Sequence, residues 1–466
     1  MKTNPALQSP PRLGQKVAIY GAPRIVAKRL SDLLQNQGCT VLYDGPLNKD
    51  TACEEADIWI MKWSFIESDA FLREHHPKTG IVSLTAGLDH LRFKAIEELG
   101  LKLVNCPTFS SNSVAEHALA LAMRGASRSS ILPPLSAGRI FITHYSDDKA
   151  EPVVAEMLMR SRQLEDSVSR AHNYEYFRPD DPETRHDEPW TNDELADSTV
   201  GIIGADRDAS RLAGCLTRGF GCEILVEEIP RWVRPSDLAE RRVVPASITT
   251  ILEECDYIFT CARAYDNIRG MPGRISVDSR AMHGLEPSFE GAEIAVIGAG
   301  RIGARIAHMA RLGFGCAVTA FNRSFNPGLI DIGVRYAKTI DEALRTAAFI
   351  FVTLPLNAET RAMIGRDSLG GMKAGSPRVM VNVARDGICE SDAIFDEVSR
   401  GGVMTFATDV APSEYLFMRN GVPDDMMRKF NQHSSITITP HEGDCSKRSL
   451  ERMCGEVMRA IENILR

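Results

Sequence analysis

Apolar residues along this chain arrive in short β-branched runs separated by stretches of mixed polarity. KVAIYG (16–21) reads as a buried strand ending at Gly21, the segment to Gln37 has helical spacing, and CTVLYDG (39–45) is strand-like again. DIWIMKW (57–63) and GIVSLTAG (80–87) are further apolar strands, with helical stretches between them. Strands alternating with helices predict βαβ units on a parallel sheet, so the N-terminal part is an α/β lobe.

The same alternation returns twice more, and the two later copies resemble each other. Placing GIIGADRDASRLAGCLTRGFGC (201–222) over AVIGAGRIGARIAHMARLGFGC (295–316) gives 10 identities in 22 positions without a gap. Chance matching at ordinary residue usage gives about one or two. CDYIFTCARAYDNIRGM (255–271) aligns in turn with AAFIFVTLPLNAETRAM (347–363), and SNSVAEHALALAMR (111–124) is echoed by AEPVVAEMLMR (150–160). Self-similarity of this kind predicts a duplicated mononucleotide-binding half, its extra copy lodged before the second. The stretch 161–190, with DDPETRHDEPW, reads as a loop or linker, and 269–284 as a second soft joint.

The later copy carries candidate cofactor chemistry. IAVIGAGRIG (294–303) is a strand followed by Gly298, Gly300 and Gly303, then a helix with Ile302, Ile306 and Met309 on one face. The first glycine allows a tight turn, the second lets backbone approach a pyrophosphate, and the third brings helix close to strand. The helix N-terminus then offers unsatisfied N–H groups to the phosphates. At the tip of the next strand, CAVTAF (316–321), an acid would accept from the ribose hydroxyls, but Asn322, Arg323 and Ser324 stand there. A guanidinium and a hydroxyl favour a 2′-phosphate, so NADP(H) is preferred, with NAD(H) as the alternative. In the earlier copy the equivalent positions are Gly204, Asp206 and Ala209, with Glu227 and Glu228 at the strand tip. A carboxylate facing pyrophosphate predicts that this copy has kept the fold and lost the cofactor.

Three later strands each end on a reactive side chain. VNVARDG (381–387) delivers Arg385, FATDVAPSE (406–414) delivers Asp409 and Glu414, and ITITPHEGD (436–444) delivers His441. A guanidinium, a carboxylate and an imidazole suit reduction of a 2-keto acid: Arg clamps the substrate carboxylate, His supplies the proton, and Glu keeps His protonated. The histidines at 75, 76, 117, 144, 172 and 186 show no ligand spacing and read as solvated or packing residues.

Together with TAGLDHL (85–91), VNCPTFSSNSVAEHALAL (104–121), FVTLPLNAETRAMIG (351–365), DVAPSE (409–414) and TPHEG (439–443), these motifs make the sequence resemble the D-isomer-specific 2-hydroxyacid dehydrogenases. That family includes glyoxylate/hydroxypyruvate reductases, D-lactate dehydrogenases and phosphoglycerate dehydrogenases. The resemblance implies an α/β protein: a flavodoxin-like substrate lobe, a Rossmann dinucleotide-binding domain, and here an additional inserted Rossmann-like pseudo-domain. The implied boundaries are 1–128 for the substrate lobe, completed by a C-terminal helix at 446–466, then 138–275 for the inserted copy and 285–445 for the cofactor domain. It further implies Arg385, Glu414 and His441 as the catalytic set, Arg301, Ile302, Leu354, Pro355 and Asp409 toward the cofactor, and backbone N–H groups at Ala86 and Gly87 toward the substrate carboxylate. Asp409 would meet the nicotinamide carboxamide. A homodimer through the cofactor domains is implied as well, with the inserted copy either replacing the partner subunit or extending the interface. Two residues depart from the family's pattern: Tyr415 follows Glu414 where a Pro is common, and Glu442 adds an acid after His441. A nucleotide-sensing, corepressor-like scaffold and a phosphite- or formate-type dehydrogenase are the competing functions.

Composition narrows the picture further. The 466 residues are 44% hydrophobic and 25% charged, which fits several globular domains. A net charge of -8 offers no basic surface for nucleic acid. Eleven cysteines lack C-x-x-C pairs or metal spacing, so neither a disulfide framework nor a metal site is expected. No apolar stretch has the length of a leader or a membrane span, and the reading is a cytoplasmic protein.

Overall fold

The computed structural model describes residues 14–45, 47, 50–62, 66, 68–85, 91–126, 140–142, 154–155, 157–159, 162–173, 175–176, 194–204, 207–227, 243–260, 288–372, 378–400 and 404–466. Three parallel sheets organise it. The first contains β1 (Lys16–Tyr20), β2 (Thr40–Gly45), β3 (Ile58–Met61), β4 (Gly80–Ser83) and β5 (Lys102–Asn105) in the flavodoxin-like order β2-β1-β3-β4-β5. The apolar runs at β1, β3 and β4 are buried along their whole length, as strands covered by helices on both faces must be. One covering helix, Lys447–Leu465, comes from the far end of the chain. Leu450, Met453, Val457, Ile461 and Ile464 recur at helical spacing and pack with Val17, Ile19 and Ile60.

The middle sheet comprises β6 (Ile140–Ile142), β7 (Thr199–Ile203), β8 (Glu223–Val226), β9 (Val243–Pro245) and β10 (Tyr257–Thr260), ordered β6-β10-β7-β8-β9. The third comprises β11 (Glu293–Ile297), β12 (Ala317–Phe321), β13 (Arg335–Tyr336), β14 (Phe349–Val352), β15 (Arg378–Asn382), β16 (Met404–Thr408) and β17 (Ile436–Ile438). Its order, β13-β12-β11-β14-β15-β16-β17, begins with the doubly wound Rossmann sequence. The chain is thus an α/β protein with a flavodoxin-like lobe and a Rossmann sheet. Among the described residues no helix is long and apolar enough to cross a membrane, and no cluster is placed to hold a metal.

The middle and third sheets meet through equivalent elements. The helix Arg207–Cys215 runs into the π-helical turn Leu216–Phe220, and Arg301–His308 runs into Met309–Gly313. At this crossing a Cβ on Gly219 would lie 2.8 Å from the Cα of Gly313. The contact is reciprocal. The Gly219 position faces the Met309 carbonyl at 3.4 Å, while that of Gly313 faces the Cys215 carbonyl at 3.5 Å. Phe220 and Phe314 meet edge to face, 6.1 Å apart. Local contacts match too: Cys222 donates to the Leu195 carbonyl and Cys316 to the Phe289 carbonyl, both at 3.1 Å.

One sequence expectation needs correction. The stretch 161–190 is not simply a loop, because Leu164–His172 is a helix. Leu164, Val168 and Ala171 fall on one face and are buried, which gives this short charged segment the apolar stripe a helix needs. Asp206 and Glu228 of the earlier glycine turn and strand tip lie outside the described residues, as do the substrate-lobe positions Ala86 and Gly87.

Replacing Gly219 by Ala therefore tests the sheet-to-sheet contact with a definite sign. At an ordinary helical position the change would stabilise by about 1 kcal/mol. Here backbone opposes the new methyl, and a loss of about 1–3 kcal/mol is expected in denaturant unfolding. A more stable variant would show that the crossing is looser than described.

Candidate active site

The carboxyl ends of β15, β16 and β17 lie side by side, since each of these strands is parallel to the next. Open α/β sheets place their ligands at such ends. Arg385 follows β15, Glu414 follows β16, and His441 follows β17.

His441 and Glu414 are in direct contact, with Nδ1 and Oε1 2.9 Å apart. The Glu414 side chain is fully buried, and its other oxygen accepts from the Ala411 N–H at 3.0 Å. Both residues rest on unusual backbone. His441 has φ +58° and Ser413, just before Glu414, has φ +56°. Left-handed backbone at residues with a Cβ costs on the order of 1–3 kcal/mol and persists only where neighbours impose it. For Ser413 the neighbour is Asp386, whose carboxylate accepts the Ser413 N–H at 2.8 Å. Burial pushes the Asp386 carboxyl up to about 6.

For His441 the main constraint is Asp409. One of its oxygens accepts from the Thr439 hydroxyl at 2.6 Å and the Glu442 N–H at 3.0 Å, and the other from the Gly443 N–H at 2.8 Å. Thr439 in turn meets His117 Nε2 at 2.9 Å. His117, expected from the sequence to be a solvated or packing residue, is buried beneath the turn that carries His441. Burial alone would raise the Asp409 carboxyl, but the His117 and His441 imidazoles and the Thr439 hydroxyl hold it below the usual carboxylate range. A carboxylate has about four lone-pair sites. Asp409 uses three of them on the histidine turn, and its Oδ1 also lies 3.3 Å from His117 Nε2.

Arg385 is half-buried, and its Nη1 donates to the Ala384 carbonyl at 2.8 Å. The Asn382 side chain closes this turn, donating to the Arg385 carbonyl and accepting from the Ala384 N–H. Burial lowers the proton affinity of His441, but the charge and hydrogen bond of Glu414, with the charge of Asp409, outweigh burial and the opposing Arg385. The imidazole therefore holds its proton to higher pH than an ordinary histidine. Tyr415, one of the two departures, meets the His441 ring edge to face at 6.4 Å. Glu442, the other, turns away from the imidazole toward Arg170 and Ser167 of the helix Leu164–His172.

The glycine turn after β11 has the shape of a dinucleotide cradle. Gly298 has φ +101°, and a Cβ there would lie 2.8 Å from the Leu354 nitrogen. A Cβ on Gly303 would overlap the Gly298 carbonyl oxygen, so helix and turn touch as only glycine permits. A Cβ on Gly300 would meet nothing within 4 Å, which leaves open space in front of the N–H groups opening the helix at Arg301 and Ile302. Leu354 is buried and Pro355 exposed beside this space. At the tip of β12, Asn322 donates to the Ser324 carbonyl, and Arg323 pairs with Glu359 at 3.3 Å, both exposed. The residues present fit a dinucleotide. The equivalent Gly204 also has positive φ, +94°.

Comparison with known proteins gives a consistent result. The family model described as "D-isomer specific 2-hydroxyacid dehydrogenase, NAD binding domain" matches residues 272–443. A hydroxypyruvate reductase of Thermotoga maritima is 30% identical over 184 residues, covering 40% of this chain and 56% of that protein. The 2-hydroxyacid dehydrogenase homolog 2 of Schizosaccharomyces pombe is 31% identical over 159 residues, covering 33% of this chain and 47% of that one. The chain spans about half the length of these curated relatives. The solved D-lactate dehydrogenase of Aquifex aeolicus, complexed with NAD and lactic acid, superimposes with a TM-score of 0.55 at 16% identity, covering 96% of this chain and 95% of that one.

Because Glu414 raises the proton affinity of His441, the native state binds that proton more tightly than the unfolded chain. The pair therefore stabilises the fold below the ordinary imidazole range, and its contribution is lost as pH rises through the raised value. Glu414→Gln should shift the His441 titration, followed by NMR of the ring proton, to lower pH. An unchanged titration would show that the pair carries no charge coupling.

Proposed function

We propose that this chain, whose residues 272–443 match the NAD-binding domain of the D-isomer specific 2-hydroxyacid dehydrogenases, reduces a 2-keto acid to the D-2-hydroxy acid, and catalyses the reverse, with a nicotinamide dinucleotide. The observation that carries this reading is the contact of His441 with the buried Glu414 beside Arg385, on adjacent strand ends of the sheet that bears the glycine turn. The Arg385 guanidinium binds the substrate carboxylate through its planar fork and draws electron density from the neighbouring ketone. His441 gives its Nε2 proton to the carbonyl oxygen, while Nδ1 stays on Glu414, which orients the ring and stabilises its charged form. In the reverse direction the same nitrogen takes the hydroxyl proton. Asp409 fixes the turn beneath the imidazole. The dinucleotide, cradled by Gly298, Gly300 and Gly303, supplies or takes up the hydride. Backbone N–H groups at Ala86 and Gly87 complete the substrate site in this proposal.

A preference for NADP(H) is part of the same reading. Its support is the absence of an acid at 322–324 and the presence of Arg323 and Ser324. The Arg323–Glu359 pair does not stand in the way. Exposed ion pairs are worth about 0–1 kcal/mol, less than charge-assisted bonds to a phosphate.

We further propose that 201–222 and 295–316 are copies of one ancestral unit, and that the earlier copy takes the place a partner subunit would hold. The reciprocal contacts of Gly219 with Gly313 support this over an extended homodimer. They have the self-complementary form of a two-fold interface, here made within one chain. A cytoplasmic setting is proposed with it, and the ten described cysteines are all free thiols, in keeping with a reducing compartment.

The wild-type protein should oxidise NADPH in the presence of one or more members of a panel of small 2-keto acids. Arg385→Ala should abolish turnover while leaving dinucleotide binding intact, and Arg323→Ala should weaken NADPH at least tenfold with little effect on NADH. Tight NADPH binding without turnover of any keto acid would favour a nucleotide sensor instead.

A further inference from the structure

The helix Leu164–His172 lies far in sequence from the catalytic strands, and outside the 272–443 span of the family match. Yet it grips the residues that immediately follow His441. Arg170 holds the Glu442 carboxylate with a two-pronged contact, Nε to Oε1 at 3.0 Å and Nη2 to Oε2 at 2.7 Å, and the Ser167 hydroxyl donates to Oε2 at 2.7 Å. Just before the helix, the fully buried Arg162 donates through Nη2 to the carbonyls of Gly443 at 3.1 Å and Cys445 at 2.9 Å. The far end of the segment reaches the neighbouring elements. Asn431 donates to the His172 carbonyl, and the buried Tyr176 meets Phe417, in the helix that starts at Glu414, edge to face at 5.3 Å.

We propose that Arg170, with Ser167 and Arg162, is a positioning set for His441: it clamps the downstream side of the turn that Asp409 clamps from beneath, so that the imidazole stays on Glu414 in its left-handed backbone. This rests on the functional reading above and extends it by making the segment between β6 and β7 part of the active site. The geometry explains why both clamps are needed. A histidine at φ +58° does not hold that conformation unaided. Asp409 takes the N–H groups of Glu442 and Gly443. Without Arg170 the buried Glu442 carboxylate would fall back on the Ser167 hydroxyl and lose its charged partner, and without Arg162 the Gly443 carbonyl would fall back on the Ser113 hydroxyl, so the turn would be held less firmly. Glu442, unexplained in the sequence, is the handle by which the helix holds the turn. The charged groups that act on the imidazole itself are Glu414, Asp409 and Arg385. Glu442 faces Arg170 and acts through position.

Arg170→Ala, Arg170→Lys and Glu442→Gln test this in the full-length protein. Two readouts are taken: the NMR titration of His441, identified with His441→Ala, and the kcat and KM of keto-acid reduction with the Kd for NADPH. The proposal expects the Arg170→Ala titration to move toward that of an ordinary histidine and kcat to fall at least tenfold, with the Kd for NADPH unchanged within twofold. Arg170→Lys and Glu442→Gln, which keep much of the packing, should lie between. If the wild type reduces no keto acid, the titration still decides the positioning role, and the two ideas fail separately. A folded Arg170→Ala protein whose His441 titration matches wild type would overturn the proposal. Should that variant not fold, unchanged titrations in the two conservative variants would do the same.

Discussion

The contact between His441 and Glu414 makes demands that run through much of the molecule. To reach Glu414, the histidine adopts φ +58°, and to receive it Glu414 follows a serine at φ +56°. Neither conformation is self-sustaining. Asp409 holds the first turn by its N–H groups, Arg162 by its carbonyls and Arg170 by a carboxylate, while Asp386 holds the second. From the first sheet, the buried Lys62 at the end of β3 pairs with Asp444 at 2.6 Å. An imidazole three residues beyond a strand is thus fixed by groups from the third sheet, from the segment 162–170 and, through Asp444, from the first sheet.

Much of this was legible in the sequence. Strands buried on both faces must be short and β-branched, so β1, β3, β4, β11 and β14 appear directly as apolar runs. The glycine turn was legible because Gly298 and Gly303 are required by close backbone contact, which no other residue tolerates. Arg385, Glu414 and His441 stood out because each follows such a run.

What the sequence hid has a common physical cause. Leu164–His172 shows only three apolar positions among charged neighbours, too few for a periodicity to emerge. Arg170 and Glu442 are 272 positions apart, and a contact between two surface-type residues at that separation leaves no local trace. The positive φ of His441 is equally silent, since only glycine or asparagine announces it. His117 shows the same limit: without the fold, nothing separates an ordinary packing histidine from one beneath the turn that carries His441. Glu442 was visible as an anomaly, and the structure supplies its partner.

The structure of the protein with bound NADP+ and oxamate, a keto-acid mimic, tests the central claim most directly. The account predicts dinucleotide in the Gly298–Gly303 turn, the oxamate carboxylate on the Arg385 guanidinium and its amide carbonyl oxygen within hydrogen-bonding reach of His441 Nε2. Dinucleotide in the turn after Gly204, or oxamate bound away from Arg385 and His441, would contradict it.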